Sequence, residues 1–173
     1  MGDYNAGTMN RYQRISLILA ALALPPLSGC SMDTFRKQQP KQVAGEPETL
    51  KYADELKVDL SQMTRTASGL YYLDRTTGTG AVAKMGDVVS VGYVGTLADG
   101  SVFDRSGMGS PYEFTLGQGE VILGWDEGIQ GMKVGGRRLL VIRPSLGYGP
   151  DSPGADIPPN ATLVFDVTLD RVE

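Results

Sequence analysis

The sequence predicts an α+β domain in which a strongly curved antiparallel β-sheet, a half-barrel, wraps around one short α-helix. Two observations carry this prediction. From residue 68 onward, short segments with apolar residues at every second position alternate with glycine-containing turns. One segment, residues 117–132, instead has apolar residues at helical spacing. A sheet with one apolar face needs a cover, and this helix supplies it.

Composition narrows the range of functions. The chain has 173 residues, a formal net charge of −4, one cysteine and no histidine. The acidic balance argues against a nucleic-acid partner, since phosphate binding requires clustered lysine and arginine. The absence of histidine removes the usual general base and the commonest metal ligand, and one cysteine cannot form a disulfide within the chain. Nothing in the sequence requires a metal or a cofactor.

Residues 1–29 have the pattern of a signal peptide. Arg11 and Arg14 precede an apolar run from Ile15 to Leu27, which is too short to cross a hydrocarbon core of about 30 Å comfortably. The run ends in LSGC, residues 27–30, which resembles a bacterial lipobox with Cys30 as the lipidated residue. An ordinary signal peptide with a cysteine nearby and a buried core helix are the alternatives.

Lipidation of Cys30 predicts an anchor in a membrane. An acidic chain gains little from anionic lipid headgroups, so acyl chains such as palmitate would hold it, at about 0.8 kcal/mol for each buried CH₂. Ser31 after the cysteine resembles lipoproteins sorted to the outer membrane of Gram-negative cells. The expected location is therefore the cell envelope, at the periplasmic face of that membrane. Translation starts at Met1 or Met9, and the sequence does not decide between them.

A tether is predicted after the cysteine. Residues 31–47 are polar, with two prolines and one glycine, which is typical of a flexible linker. Residues 48–63 either form a short amphipathic helix or remain solvated linker, because apolar residues recur there at helical spacing: Leu50, Ala53, Leu56 and Leu60. The predicted divisions are a lipoprotein signal peptide at 1–29, a lipidated N-terminus and tether at 30–67, and a folded domain at 68–173 with its core at 86–173.

Alternating patterns predict the strands of the domain. The last segment is the clearest, because Leu163, Phe165, Val167 and Leu169 share one face while Thr162, Asp166, Thr168 and Asp170 share the other. Its apolar face should lie in the core and its polar face should meet water. The predicted strand segments are SGLYYLDR (68–75), DVVSVGYVGTL (87–97), SVFD (101–104), YEFTLG (112–117), RRLLVIRP (137–144) and ATLVFDVTLDRV (161–172).

The helix combines the only tryptophan with several glycines, although each interior glycine costs a helix about 1 kcal/mol relative to alanine. An apolar arc is formed by Ile122, Trp125, Ile129 and Met132. Three glycines lie beside the arc, where side chains would hold the helix away from a concave sheet: Gly124, Gly128 and Gly131. We therefore expect close packing of the helix against the sheet.

Four motifs together resemble the FKBP-type peptidyl-prolyl isomerases, small domains that also bind immunosuppressant macrolides. They keep that family's order and spacing over most of the predicted domain, and the lipobox in front makes the whole chain similar to bacterial lipoprotein members. The motifs are VGYVGTLADGSVFDRS (91–106), YEFTLGQGEVILGWDEGIQGMKVGGRR (112–138), GYG (147–149) and IPPNATLVFDV (157–167).

The resemblance implies a substrate pocket with Trp125 as the floor beneath a proline ring. Its other implied lining residues are Tyr93, Phe103, Asp104, Val121, Ile122, Tyr148 and Phe165, with Tyr112 and Ile157 at the rim. In this family the backbone N–H at Ile122 and the Tyr148 hydroxyl would bind substrate carbonyls, and the Asp104 carboxylate would lie near the twisting amide. The Tyr93 hydroxyl would orient Asp104. The alternatives are Asp104 as a turn residue that binds its own backbone, Tyr93 as a half-buried strand residue and Trp125 as an ordinary core residue.

Such chemistry needs no histidine. Rotation about an X-Pro amide breaks no covalent bond, and its barrier of about 18–20 kcal/mol comes from amide resonance. Water solvates the planar, dipolar form better than the twisted one, so an apolar pocket lowers the barrier by removing that preference. The residues expected around the proline are accordingly aromatic and aliphatic.

Some positions depart from the family pattern. The loop RSGMGSP, residues 105–111, looks short and lacks a late basic residue that could pair with Asp104, while Arg105 is expected to point elsewhere. Asp156 stands where an apolar rim residue is usual, and Gly92 replaces a larger residue. We expect activity to survive with weaker binding of a macrolide inhibitor and a shifted preference for the residue before proline.

The expected function is isomerisation of proline-containing polypeptides in the cell envelope by a membrane-anchored enzyme. A non-catalytic peptide-binding module or holdase that uses the same pocket is the runner-up, and a mainly structural lipoprotein is the third candidate. The joint presence of Tyr93, Asp104, Trp125 and Tyr148 favours catalysis, because binding alone does not obviously need all of them.

Overall fold

The computed structural model describes residues 43–107, 109–151 and 153–173, which fall within one compact unit. The signal peptide, Cys30 and most of the tether lie outside the described residues. Among the described residues, no helix has the length and apolar character needed to cross a membrane.

One seven-stranded antiparallel sheet organises the fold, and its strand order is β1-β2-β6-β7-β3-β4, with β5 also paired to β3. The two ten-residue strands β3 and β7 run side by side at its centre, where Gly95 faces Phe165 and Tyr93 faces Val167. The strands are β1 (Thr64–Arg65), β2 (Tyr71–Thr76), β3 (Val88–Leu97), β4 (Val102–Arg105), β5 (Tyr112–Thr115), β6 (Arg137–Ile142) and β7 (Leu163–Val172).

Each predicted strand segment overlaps a strand, with β2 and β4 each ending one residue later than predicted, and the predicted α+β fold is confirmed. The two-residue strand β1 was not expected, because it is too short to show a period. The apolar face of β7 lies in the main core, as its alternation predicts, with Leu163, Phe165, Val167 and Leu169 each at most 3% exposed.

The helix α1 (Leu123–Ile129) packs on the concave face of the sheet against β6. A Cβ on Gly124 would lie 2.6 Å from Cγ2 of Ile142, and one on Gly128 would lie 2.7 Å from Cδ2 of Leu140. These two glycines therefore allow the close approach that the sequence predicts. Gly131 does not, since no atom lies within 4 Å of its Cβ position. It instead has φ +80°, a conformation that favours glycine where the chain leaves the helix.

The buried cation Arg138 fixes the helix to the sheet. Its Nε and NH2 donate to the two carboxylate oxygens of Asp74 at 2.6 and 2.9 Å, and its NH1 donates to the Gly128 carbonyl at 2.8 Å. The guanidinium also lies over the Tyr72 ring, 4.5 Å from its centroid. A charge that is 8% exposed is thus fully partnered, and the end of α1 is held on the sheet.

The convex face of the sheet is also covered, which corrects two expectations. Residues 48–63 form neither an α-helix nor a free linker but lie across the sheet with three 3₁₀ turns, Pro47–Thr49, Asp54–Leu56 and Leu60–Gln62. The polar face predicted for the last strand segment does not wholly meet water. Thr162 is 0% exposed, and Val164 is buried in a second apolar cluster with Tyr71, Leu139 and Val141. The segment contributes its apolar side chains to that cluster: Tyr52, Leu56, Val58 and Leu60.

Backbone contacts show why an α-helix does not form there. The Ala53 N–H donates to the Ala98 carbonyl at 2.8 Å, so this donor is bonded to a distant part of the chain and not to a carbonyl one helical turn earlier. Lys57 has φ 53°, in the left-handed region, which ends the second turn. Earlier in the chain, the Gly45 N–H donates to the Asn160 carbonyl at 2.8 Å. The segment from Gly45 to Lys57 is therefore bound to the domain.

Candidate functional site

A half-open cavity of about 390 Å³ lies between the sheet and the start of α1. It brings together most of the site residues expected from the sequence. The expected residues that line it are Tyr93, Asp104, Tyr112, Val121, Ile122, Trp125, Tyr148 and Phe165.

Aromatic rings form the walls and floor of this cavity. The Trp125 indole is 4% exposed and meets three rings nearly at right angles. Its centroid lies 4.8 Å from Tyr93, 5.2 Å from Phe165 and 6.3 Å from Tyr112. Edge-to-face pairs of this kind are worth about 0.5–1.5 kcal/mol each beyond burial, so the indole is held rigidly. Its Nε1–H is buried and has no acceptor among the described residues.

Asp104 is held at the cavity by two hydrogen bonds. The Tyr93 hydroxyl donates to Oδ2 at 2.7 Å, and the Arg105 backbone N–H donates to Oδ1 at 2.8 Å. The Asp104 carboxylate thus binds the adjacent backbone and is oriented by Tyr93, while its place beside a substrate amide stays a prediction. Arg105 lines a different surface depression, as expected from its adjacency to Asp104.

Two tyrosines at the cavity, Tyr93 and Tyr148, keep their protons at neutral pH. Burial raises the pKa of Tyr93 well above its ordinary value, and the hydrogen bond to Asp104 raises it further. Burial also raises the pKa of Tyr148, with a smaller contribution from the charge of Asp104. Deprotonated phenolate is disfavoured at both positions, so each hydroxyl is a hydrogen-bond donor at neutral pH.

The loop before the helix is fixed by Asp126, whose importance the sequence did not reveal. This carboxylate is 8% exposed and accepts the backbone N–H groups of Gly117 at 2.8 Å and Gly119 at 3.3 Å. The loop then passes along the cavity through Val121 to Ile122, which is the N-cap residue of α1. Asp126 therefore sets the position of one cavity wall without lining the cavity itself.

Two expected site residues are not at the cavity. Phe103 lies behind the wall and packs edge-to-face on Phe165, with centroids 5.5 Å apart. Gly95 leaves room for the Phe103 ring, because a Cβ at that position would lie 2.8 Å from atoms of both Phe103 and Phe165. Ile157, expected at the rim, is 8% exposed and belongs to the main core. Asp156, the other rim candidate, is exposed and does not line the cavity.

Glu120 and Gly119 line the cavity although the sequence analysis did not select them. Glu120 is exposed, and its Oε2 accepts the Thr115 backbone N–H at 3.2 Å. A glutamate in a glycine-rich loop carries no local signal that it faces a cavity. Within the described residues, no group of three or more His, Cys, Asp and Glu side chains is placed to hold a metal ion.

Known proteins are similar to this chain in sequence and in structure. Residues 80–170 match the profile of the FKBP-type peptidyl-prolyl cis-trans isomerases. FK506-binding protein 3 of Yarrowia lipolytica is 50% identical over 106 residues, 61% of this chain and 26% of that protein. This chain thus spans about a quarter of the length of that curated relative.

Two solved bacterial structures are also similar. FkpA from Escherichia coli shares 44% sequence identity at a TM-score of 0.59, over 65% of this chain and 52% of that one. A peptidyl-prolyl isomerase from Pseudomonas syringae pv. tomato shares 36% identity at a TM-score of 0.59, over 65% of this chain and 81% of that one. With the matched profile, the curved sheet and the aromatic cavity in place, this chain belongs to the FKBP-type peptidyl-prolyl cis-trans isomerase family.

Proposed function

We propose that the domain accelerates cis–trans rotation about X-Pro bonds in polypeptides bound at the Trp125 cavity. The observation that carries this proposal is the convergence of Trp125, Tyr93 and Phe165 on one half-open hollow. An aromatic enclosure of this size accommodates a proline ring and withdraws the neighbouring amide from water. Because water favours the planar, dipolar amide, its exclusion lowers the barrier to the twisted form.

Polar groups at the edge of the cavity orient the bound chain. The Tyr148 hydroxyl and the backbone N–H of Ile122 donate to substrate carbonyls, and Asp104, oriented by the Tyr93 hydroxyl, lies beside the twisting amide. The support for these roles is their common position around the cavity and the protonated state of both phenols. No proton is transferred, in keeping with a chain that has no histidine.

An exchange measurement tests the activity. Purified protein of residues 31–173 is added to a short Leu-Pro peptide, and the interconversion of its cis and trans forms is followed by magnetisation-transfer NMR. Catalysed exchange well above the uncatalysed rate, which corresponds to tens of seconds or longer, is expected. Peptide binding detected by Trp125 fluorescence without faster exchange would instead support the binding-module or holdase alternative. A macrolide that blocks exchange would place the reaction in the same cavity.

We further propose that the chain works in the bacterial cell envelope, anchored through acyl chains on Cys30 to the periplasmic face of the outer membrane. The support is the sequence pattern alone: the basic and apolar leader, the LSGC motif and Ser31. Proline-containing envelope proteins would then be the clients. Expression of the full chain and of a Cys30→Ser variant in a Gram-negative host, followed by membrane fractionation and mass spectrometry, tests the anchor. An unlipidated full chain in the soluble fraction would overturn it.

A further inference from the structure

The charges around the cavity are of one sign. Two carboxylates, Asp104 and Glu120, line it, and none of the described lining residues is lysine or arginine. Within residues 43–107, 109–151 and 153–173, neither carboxylate has an ion-pair partner, whereas Glu113 on β5 is paired with Arg171. The charges at the cavity are therefore not neutralised by the protein.

The size of the cavity makes these charges effective on bound substrate. A sphere of 390 Å³ is about 9 Å across, which is shorter than the screening length of about 10 Å at 0.1 M salt. A charged residue next to the bound proline would therefore lie within one screening length of both carboxylates, so salt at this concentration screens the interaction only in part. Both side chains are exposed, so the interaction is moderate, and a preference of about tenfold is expected in place of an all-or-none one.

We propose that Glu120, with Asp104, gives this site a preference for prolines flanked by lysine or arginine and a selectivity against prolines flanked by aspartate or glutamate. This inference rests on the proposed isomerase function and specifies its substrates. Glu120 is the specificity-determining residue that can be tested alone, because Asp104 also orients the reaction. Its carboxylate is fixed in place by the Thr115 backbone N–H, which keeps the charge at the cavity instead of in bulk solvent.

The test uses three acetylated, amidated peptides, Ala-Xaa-Pro-Phe with Lys, Leu or Glu before proline. Blocked ends remove terminal charges, and exchange NMR avoids a coupling protease with its own charge preference. The ratio of kcat/KM for the Lys peptide to that for the Glu peptide is expected to be about tenfold at low salt. The ratio should fall towards one as salt is raised, because exposed charges are screened. A ratio near one at low salt overturns the inference.

Variants separate charge from structure. Glu120→Gln keeps an oxygen acceptor for the Thr115 N–H but removes the charge, and it should lower the Lys/Glu ratio about threefold. Glu120→Lys should lower it further in the same direction. The matched control is Asp54→Asn, which removes an exposed carboxylate on a 3₁₀ turn outside the cavity and should leave the ratio unchanged. Equal ratios in the Gln variant and the parent protein would contradict the role of Glu120.

The neutral peptide distinguishes failure of the inference from failure of the proposed function. Exchange on the Leu peptide with no Lys/Glu difference would leave the isomerase standing and remove the charge preference. If no peptide exchanges faster, the isomerase proposal fails. The charge preference is then tested by measuring the affinity of the same three peptides from the fluorescence of Trp125, the only tryptophan. Tighter binding of Lys than of Glu, weakened by Glu120→Gln, supports it, and equal affinities overturn it.

Discussion

The two faces of the sheet are both covered by other parts of the chain, but the cavity walled by aromatic rings lies on the concave face. On the concave face, α1 presses against β6 through Gly124 and Gly128, and aromatic rings surround a cavity at the start of the helix. On the convex face, the segment around Tyr52 and Leu56 lies on the strands, and the depression of about 250 Å³ that remains beside it contains ionic side chains such as Arg75 and Asp166 and no aromatic ring. Strand β7 contributes to both, with Phe165 inward and Val164 outward.

This difference assigns distinct roles to neighbouring residues. Apolar burial on the convex face contributes stability alone, while the same kind of burial on the concave face also shapes the binding surface. Substitutions on the two faces should therefore differ in what they do to isomerisation per folded molecule, even where their costs in stability are similar.

The largest effect is expected from Trp125→Leu. Loss of the indole removes three edge-to-face ring contacts and the floor of the cavity, so the free energy of unfolding should fall by about 2–4 kcal/mol. Isomerisation per folded molecule should fall at least about tenfold, equivalent to about 1.4 kcal/mol in the barrier. Urea unfolding and exchange NMR measure the two quantities. Full activity in the folded fraction would contradict the assignment of Trp125 as the floor of the cavity.

Val164→Ala is the matched change on the convex face. Val164 is 1% exposed and packs in the second cluster, so truncation should cost about 1–3 kcal/mol of unfolding free energy. Exchange of a Leu-Pro peptide per folded molecule should remain as in the parent protein. A loss of activity beyond the loss of folded protein would show that the convex cover influences the cavity.

Gly95→Ala, with Gly92→Ala as its control on the same strand, probes the inner wall. A Cβ at Gly95 would lie 2.8 Å from rigid atoms of Phe103 and Phe165, so overpacking should cost about 1–3 kcal/mol and displace the cavity wall. At Gly92 the nearest atom, Oδ2 of Asp170, lies at an ordinary 3.5 Å. The control should change the unfolding free energy by less than about 0.5 kcal/mol. Similar destabilisation in both variants would contradict the steric account.

The smallest effect is expected from Tyr71→Phe on the convex side. The Tyr71 hydroxyl donates to Oε1 of Glu48 at 2.7 Å, and this hydrogen bond is the main cause that lowers the pKa of Glu48 from its ordinary 4.5. A lowered folded-state pKa stabilises the fold above the unfolded-state value, and this contribution is lost as pH falls through the folded-state value.

The variant should therefore lose about 0.5–1.5 kcal/mol at neutral pH and show a shallower fall in stability below about pH 4.5 than the parent protein. Thermal unfolding measured across that acidic range provides the comparison. Parallel pH curves for the two proteins would show that the Tyr71 hydroxyl does not contribute to acid sensitivity through Glu48.

The sequence predicted those features that a local period or a matching motif encodes. The alternation in β7 identified Leu163 and Phe165 as core residues, and the helical arc identified Trp125 as inward-facing. The motifs also included most of the residues that line the cavity. Each of these depends on residues close together in the chain or on a pattern with fixed spacing.

Features decided by distant contacts were not predictable in the same way. Leu56 and Leu60 have helical spacing, but the convex face of the sheet binds them in 3₁₀ turns, and the partner that decides this lies far along the chain. Phe103 follows the family motif yet packs behind Phe165, because Gly95 opens space there. Glu120 had no distinguishing neighbours, and only the path of its loop brings it to the cavity.

The pH dependence of catalysed exchange tests the central claim most directly. If rotation is accelerated by an aromatic enclosure without proton transfer, kcat/KM for a Leu-Pro peptide should stay level from about pH 6 to about pH 9, because the chain has no histidine and the pKa of Tyr93 is raised. A bell-shaped profile, or a change that follows a single titration within that range, would contradict the account.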